Sequence, residues 1–118
     1  MRILVVDDSP AIRARLLAML VELPGVEVRE AAGADEAMES IQVSAPDLVV
    51  LDLHMPGKTG LELLPQIKSL PVVPIVVMMT GEATEHHRRT CLALGADFFF
   101  DKSRDFARML ELVRVGEI

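Results

Sequence analysis

The chain has 118 residues, a hydrophobic fraction of 51%, an aromatic fraction of 3% and a net charge of −6. That length makes one ordinary domain able to bury about two-thirds of its unfolded surface, so no disulfide or structural metal is needed to hold a core. The charge speaks against non-specific nucleic-acid binding, which needs cations to displace counterions from phosphates, and the lone Cys91 excludes an internal disulfide and fits a reducing compartment.

Strand and helix patterns alternate from the start. Ile3 to Val6 is a short apolar run that meets Asp7 and Asp8 before a signal-peptide core can form. Ile12, Leu16, Met19, Leu20 and Leu23 then fall at helical spacing, with Pro24-Gly25 as the expected stop. Val26 to Val28 reads as a second strand and Ala34 to Val43 as a second helix. Leu48 to Leu51 is nearly all apolar, as expected of a parallel strand covered on both faces, and leads to a helix over Gly60 to Leu70. Ile75 to Met79 is a fourth strand, and Ala83 to Leu94 a helix ended by Gly95. Phe98 to Phe100 is a fifth strand, and a last helix carries Phe106, Met109, Leu110 and Val113, with Ser103 as its expected cap. With so few aromatics, Val, Leu, Ile, Met and Ala must do the packing.

Five βα units in this order predict an α/β fold, a five-stranded parallel sheet with helices on both faces. The pattern shows no repeat, linker or low-complexity segment, and the last helix runs almost to Ile118, so residues 1–118 are expected to be one domain with no room for a second. No apolar run approaches the roughly 18–20 residues of a transmembrane helix. A soluble cytoplasmic protein without membrane contact is expected.

In such sheets, functional groups gather at the carboxyl ends of the strands. Strand one ends in Asp7-Asp8, strand three in Asp52, strand four in Thr80, and Lys102 follows strand five. Taken singly these residues are ordinary: Asp8 could cap the helix at Ser9-Pro10, a Thr favours strands, and a Lys is usually solvated. As a set at successive strand ends they are not ordinary. Three clustered carboxylates repel one another unless a cation shares them, and hard oxygen ligands suit Mg²⁺. One carboxylate can then attack phosphorus while the metal, the ammonium and the hydroxyl neutralise charge on the transferring group.

Val5-Val6-Asp7-Asp8-Ser9, the run from Asp47 through Asp52 to Pro56 with Gly60, Thr80-Gly81, and Asp101-Lys102 together resemble the receiver domain of two-component response regulators. The resemblance covers essentially the whole chain and implies the flavodoxin-like (βα)5 fold. It implies that Asp52 accepts phosphate from a histidine kinase or phosphotransfer protein. It further implies that Asp8 and Asp52 bind Mg²⁺ directly, Asp7 through water, with the His54 backbone carbonyl completing the protein ligands. Thr80 and Lys102 would each bond a phosphoryl oxygen, and the last two helices and strand five would answer to an output protein or to a second copy of the chain. Gly81 would leave room for the donor, while Pro56 and Gly60 shape the loop after strand three.

Two positions depart from the family pattern. Phe99 stands where the family often carries a rotamer-switching Tyr, so it is either a switch without a hydroxyl or a plain sheet-surface aromatic. Ser103 stands where the family usually has a proline after a cis bond. The need to turn Lys102 toward Asp52 predicts that Lys102–Ser103 is cis all the same, although a non-proline cis bond costs roughly 2.5–4 kcal/mol.

His54 and Glu82, two residues after Asp52 and Thr80, would flank the phosphoryl group and tune attack by water, though His54 also reads as a plain loop residue. Adjacent His86 and His87 point about 100° apart on a helix and read as surface residues, and Cys91 as a small core residue. Arg88, Arg89, Arg104, Arg108 and Arg114 give the last two helices a basic tendency, either a solvated face or a docking face for an acidic partner. A haloacid-dehalogenase-type phosphatase would place its nucleophile in an Asp-x-Asp pattern on strand one, which is absent here, and the intact acid set argues against a pure scaffold. The expectation is a phospho-accepting switch, not an enzyme with a separate substrate.

Overall fold

The computed structural model describes Met1 to Ile118. Its elements are β1 (Arg2–Val6), α1 (Pro10–Leu20), β2 (Glu27–Ala31), α2 (Ala34–Val43), β3 (Leu48–Asp52), α3 (Gly60–Lys68), β4 (Ile75–Thr80), α4 (Glu85–Ala93), β5 (Phe98–Asp101) and α5 (Phe106–Arg114). All strands pair in parallel, in the order β2-β1-β3-β4-β5. The order reverses at β1, which places the crevice between the ends of β1 and β3, where α/β sheets hold their sites.

The period of two along each strand sorts the core into two layers. Leu4, Val6, Val49, Leu51, Val76 and Met78 face Ala37 and Ile41 of α2, Leu63, Leu64 and Ile67 of α3, and Cys91 of α4. Ile3, Val5, Leu48, Val50, Val77 and Met79 face Leu16 and Leu20 of α1 and Phe106, Met109 and Val113 of α5. Both layers are closed, so β3 is buried along its whole length and ends on a buried Asp52.

Three local expectations change. The first helix ends at Leu20, ahead of Pro24-Gly25; Gly25, at φ 73°, instead turns the chain into β2. Ser103 does not cap the last helix: Asp105 occupies the N-cap position, and Ser103 donates to Asp101. Ile118 lies beyond the last helix yet is buried against the α1/α5 layer.

Gly60 begins α3, behind a capping box in which Thr59 and Glu62 satisfy each other's backbone N–H groups. Its need for glycine is steric. A Cβ on Gly60 would stand 2.1 Å from the Asp52 carbonyl oxygen, because α3 starts directly against the end of β3. Gly60→Ala is therefore expected to lower stability by ~3 kcal/mol, as overpacking against backbone does. Urea denaturation would check this, and an unchanged midpoint would contradict it.

Candidate functional site

The strand ends place their acids without help from the loops. Asp7 follows β1, and its backbone N–H still donates to Ala31 of β2 at 3.1 Å. Its Oδ1 accepts from the Ser9 N–H at 2.9 Å, and Ser9 in turn caps α1 by accepting from Ile12. Asp8 is exposed and caps nothing, so Ser9 takes the role that Asp8 could have filled. Asp52 closes β3 opposite Met79 of β4, which sets Thr80 one step beyond it, and Thr80 itself pairs with Asp101 of β5. One carboxylate oxygen from each of Asp7, Asp8 and Asp52 lies within 4.8 Å of the others.

Lys102 ties the acids together. Its Nζ lies 2.5 Å from Asp7 Oδ2 and 3.0 Å from Asp52 Oδ1. Burial alone would depress an ammonium, but its hydrogen bonds to Asp7 and Asp52 prevail and hold Lys102 above the ordinary lysine range. Asp52 is shifted as well, toward its neutral form. Burial raises its pKa from 3.8 to about 6, with Asp7 adding repulsion, and the Lys102 hydrogen bond offsets only part of the rise.

The expected cis bond is absent: the structure contains no cis peptide, and Lys102–Ser103 is trans. The loop reaches the same end by hydrogen bonding. The Lys102 N–H donates to the Thr80 carbonyl at 2.9 Å, extending the β4–β5 ladder to the lysine. Asp101 accepts from the Ser103 N–H and hydroxyl, while Asp105 accepts from the Asp101 N–H at 2.8 Å. These bonds, the Ser103 hydroxyl first, hold the Asp101 carboxyl below the ordinary range.

Thr80 is fully buried, and its Oγ1 accepts from the Glu82 N–H at 3.0 Å. Gly81 is exposed, and a Cβ there would meet nothing within 4 Å, so the space beside Thr80 is open. Phe99 is half-buried and packs with the α2–α3–α4 layer, whereas Phe98 and Phe100 stack on the other face. His54 and Glu82 are both exposed, with His54 Nε2 3.6 Å from Glu82 Oε2.

Sequence reasoning overlooked two positioning residues. Arg13 of α1 donates through Nη1 to the Asp7 carbonyl at 2.6 Å while its Nε bonds Glu30 of β2, pinning the end of β1. Asp101 organises the lysine loop, yet its only signal was its place beside Lys102. Four of these arginines lie on α4 and α5, whereas Arg104 lies in the turn before α5, and all five have neighbours. Arg88 and Arg89 reach Glu85, Arg104 reaches Asp101, Arg114 pairs with Glu111, and Arg108 lies over the Phe100 ring.

The donor set fits Mg²⁺. Three carboxylates supply hard oxygens, and octahedral coordination at about 2.0–2.1 Å sets ligand oxygens roughly 3–4 Å apart, within small side-chain adjustments of the 4.8 Å limit. Because the folded Asp52 pKa of about 6 lies above 3.8, its contribution to stability is most favourable below 3.8 and is lost as pH rises through 6. Asp52→Asn is thus expected to stabilise the metal-free protein by roughly 1–3 kcal/mol near pH 8 and to give no such gain near pH 4. Urea denaturation at the two pH values checks it; equal effects at both would contradict the raised pKa.

Comparison with known proteins agrees with this geometry. The response regulator receiver domain family matches residues 3–114. The transcriptional activator protein ExaE of Pseudomonas putida is 40% identical over 117 residues, covering 97% of this chain and 54% of ExaE. A protein-glutamate methylesterase/protein-glutamine glutaminase of Desulfotalea psychrophila is 38% identical over 108 residues, covering 89% of this chain and 30% of that protein. The chain thus spans only about a third to a half of these relatives. The crystal structure of the signal receiver domain of a DNA-binding response regulator from Colwellia psychrerythraea 34H superposes with a TM-score of 0.91 at 30% identity, over 100% of this chain and 99% of that one. With the acids at the ends of β1 and β3, the lysine after β5 and the family match over nearly its whole length, the chain belongs to the receiver domains of two-component response regulators.

Proposed function

We propose that Asp52 is the phospho-acceptor, taking a phosphoryl group from the phosphohistidine of a histidine kinase or phosphotransfer protein. An Asp52 oxygen attacks phosphorus, the P–N bond breaks as the P–O bond forms, and the donor histidine leaves. The observation that carries this is the Lys102 ammonium 3.0 Å from Asp52 in a pocket that also holds Asp7. A cation already bonded to the nucleophile is placed to pair with the charge that arrives on phosphorus. Bound Mg²⁺ would supply the remaining charge neutralisation, held by Asp8 and Asp52 directly, by Asp7 through water and by the His54 backbone carbonyl.

Thr80 supplies the switch. Its hydroxyl oxygen already accepts from the Glu82 N–H, but a hydroxyl retains a proton to donate. Donation to a phosphoryl oxygen would draw Thr80 toward Asp52 and pull the β4–α4 loop along through that bond. Room at Gly81 permits the motion, and Phe99 lies half-buried beside α4, where a rotamer change would register it. The α4–β5–α5 face would then present a changed surface to an output protein or to a second copy of the chain. His54 and Glu82, at the rim, are placed to order or exclude attacking water.

The chain would act as a cytoplasmic switch without a separate substrate; no helix is long and apolar enough to cross a membrane. The activities of the longer relatives belong to those proteins. Incubation with Mg²⁺ and acetyl phosphate is expected to add about 80 Da of phosphoryl mass by intact-mass measurement, and Asp52→Asn to add none. Equal gain in the variant would move the acceptor elsewhere. A wild type left unmodified by both acetyl phosphate and phosphohistidine donors would overturn the reading.

A further inference from the structure

Outside the acidic pocket, one other cluster has the chemistry of a ligand set. His54 lies in the loop after β3, Glu82 in the loop after β4, and His87 in the first half of α4. One donor atom from each lies within 4.8 Å of the others. The His54 and His87 rings meet edge to face with centroids 5.4 Å apart, and His54 Nε2 lies 3.6 Å from Glu82 Oε2. His86, its ring turned aside by one helical position, is outside the group.

The tautomer of the neutral His87 ring is set by its neighbour. His87 Nδ1 lies 2.8 Å from the Glu82 backbone carbonyl oxygen. A carbonyl can only accept, so Nδ1 carries the proton and the neutral ring keeps its lone pair on Nε2. This is how a metal-binding histidine is ordinarily oriented, one nitrogen donating to a carbonyl and the other free for the ion. The ring also sits on a firm base, because the His87 N–H is capped by Thr84 Oγ1 at 3.1 Å. Exposed His54 and Glu82 can rotate to close on an ion without disturbing the core.

We propose that His54, Glu82 and His87 form a Zn²⁺ site with an open fourth position, separate from the Mg²⁺ pocket. Two imidazoles and a carboxylate are a zinc donor set, whereas Mg²⁺ prefers oxygen alone. Tetrahedral zinc with ligands at about 2.0–2.1 Å needs donors roughly 3.4 Å apart, close to the 3.6 Å already present between His54 and Glu82. The ion would stitch the loop after β3 to the loop after β4 and to α4, three segments otherwise joined here by side chains that solvent can separate. The assignment does not rest on phosphorylation of Asp52.

Calorimetric titration of the full chain with Zn²⁺ in excess Mg²⁺ tests it, with Mg²⁺ keeping the acidic pocket filled. One equivalent is expected to bind, with affinity reduced ~100-fold or more in His54→Ala and in His87→Ala and unchanged in His86→Ala. Zn²⁺ should shift the ring proton resonances of His54 and His87 but not those of His86. Asp52→Asn should keep the site, which separates its failure from failure of the phosphorylation reading. Absence of Zn²⁺ binding, binding indifferent to both histidine substitutions, or binding lost with Asp52→Asn alone would overturn it.

Discussion

The pocket depends on one contact, the Lys102 ammonium shared between two carboxylates buried at the ends of neighbouring strands. Asp7 is 2% and Asp52 4% exposed. Two like charges removed from water this far would each lose most of their hydration, and their mutual repulsion would be strong in a medium of low dielectric. Lys102 turns that liability into a poised site. It holds one acid firmly while Asp52 stays reluctant to ionise, as its pKa of about 6 records. A carboxyl in this condition gains from a cation, and the lysine beside it is placed to share added negative charge.

The rest of the fold keeps that contact in register. The two closed layers fix where β1 and β3 end, and the β4–β5 ladder delivers the Lys102 backbone to the same edge. Gly60 lets α3 begin directly against the Asp52 carbonyl, which fixes the start of α3 on the end of β3. Arg13 and Asp101, neither of them in contact with Asp52, anchor the acid and the lysine loop from opposite sides. Only Asp8, Thr80 through its unspent proton, and the exposed rim of His54 and Glu82 remain free to respond to a ligand. Rigid strand ends and responsive loops thus divide the work between positioning and switching.

The sequence by itself determined the five βα units, the parallel sheet and the convergence of Asp7, Asp8, Asp52, Thr80 and Lys102. These are legible because apolar periodicity sets the element type, and strand ends in a parallel sheet share one edge. Helix α2 fell on its predicted bounds for the same reason. Features set by particular side-chain hydrogen bonds and by loops meeting across the sheet were decided only by the folded structure. The trans Lys102–Ser103 bond accompanies hydrogen bonds to Asp101 and Thr80, Ser103 lost its capping role to the same network, and Arg13 in the first turn of α1 folds back onto Asp7. The pairing of His87 with His54 belongs to this group as well: spacing along α4 excluded a His86–His87 site, but no local rule could bring a loop of β3 to the face of α4. Local pattern is written in short-range sterics and burial, whereas these contacts exist only once the sheet has assembled and brought its loops together.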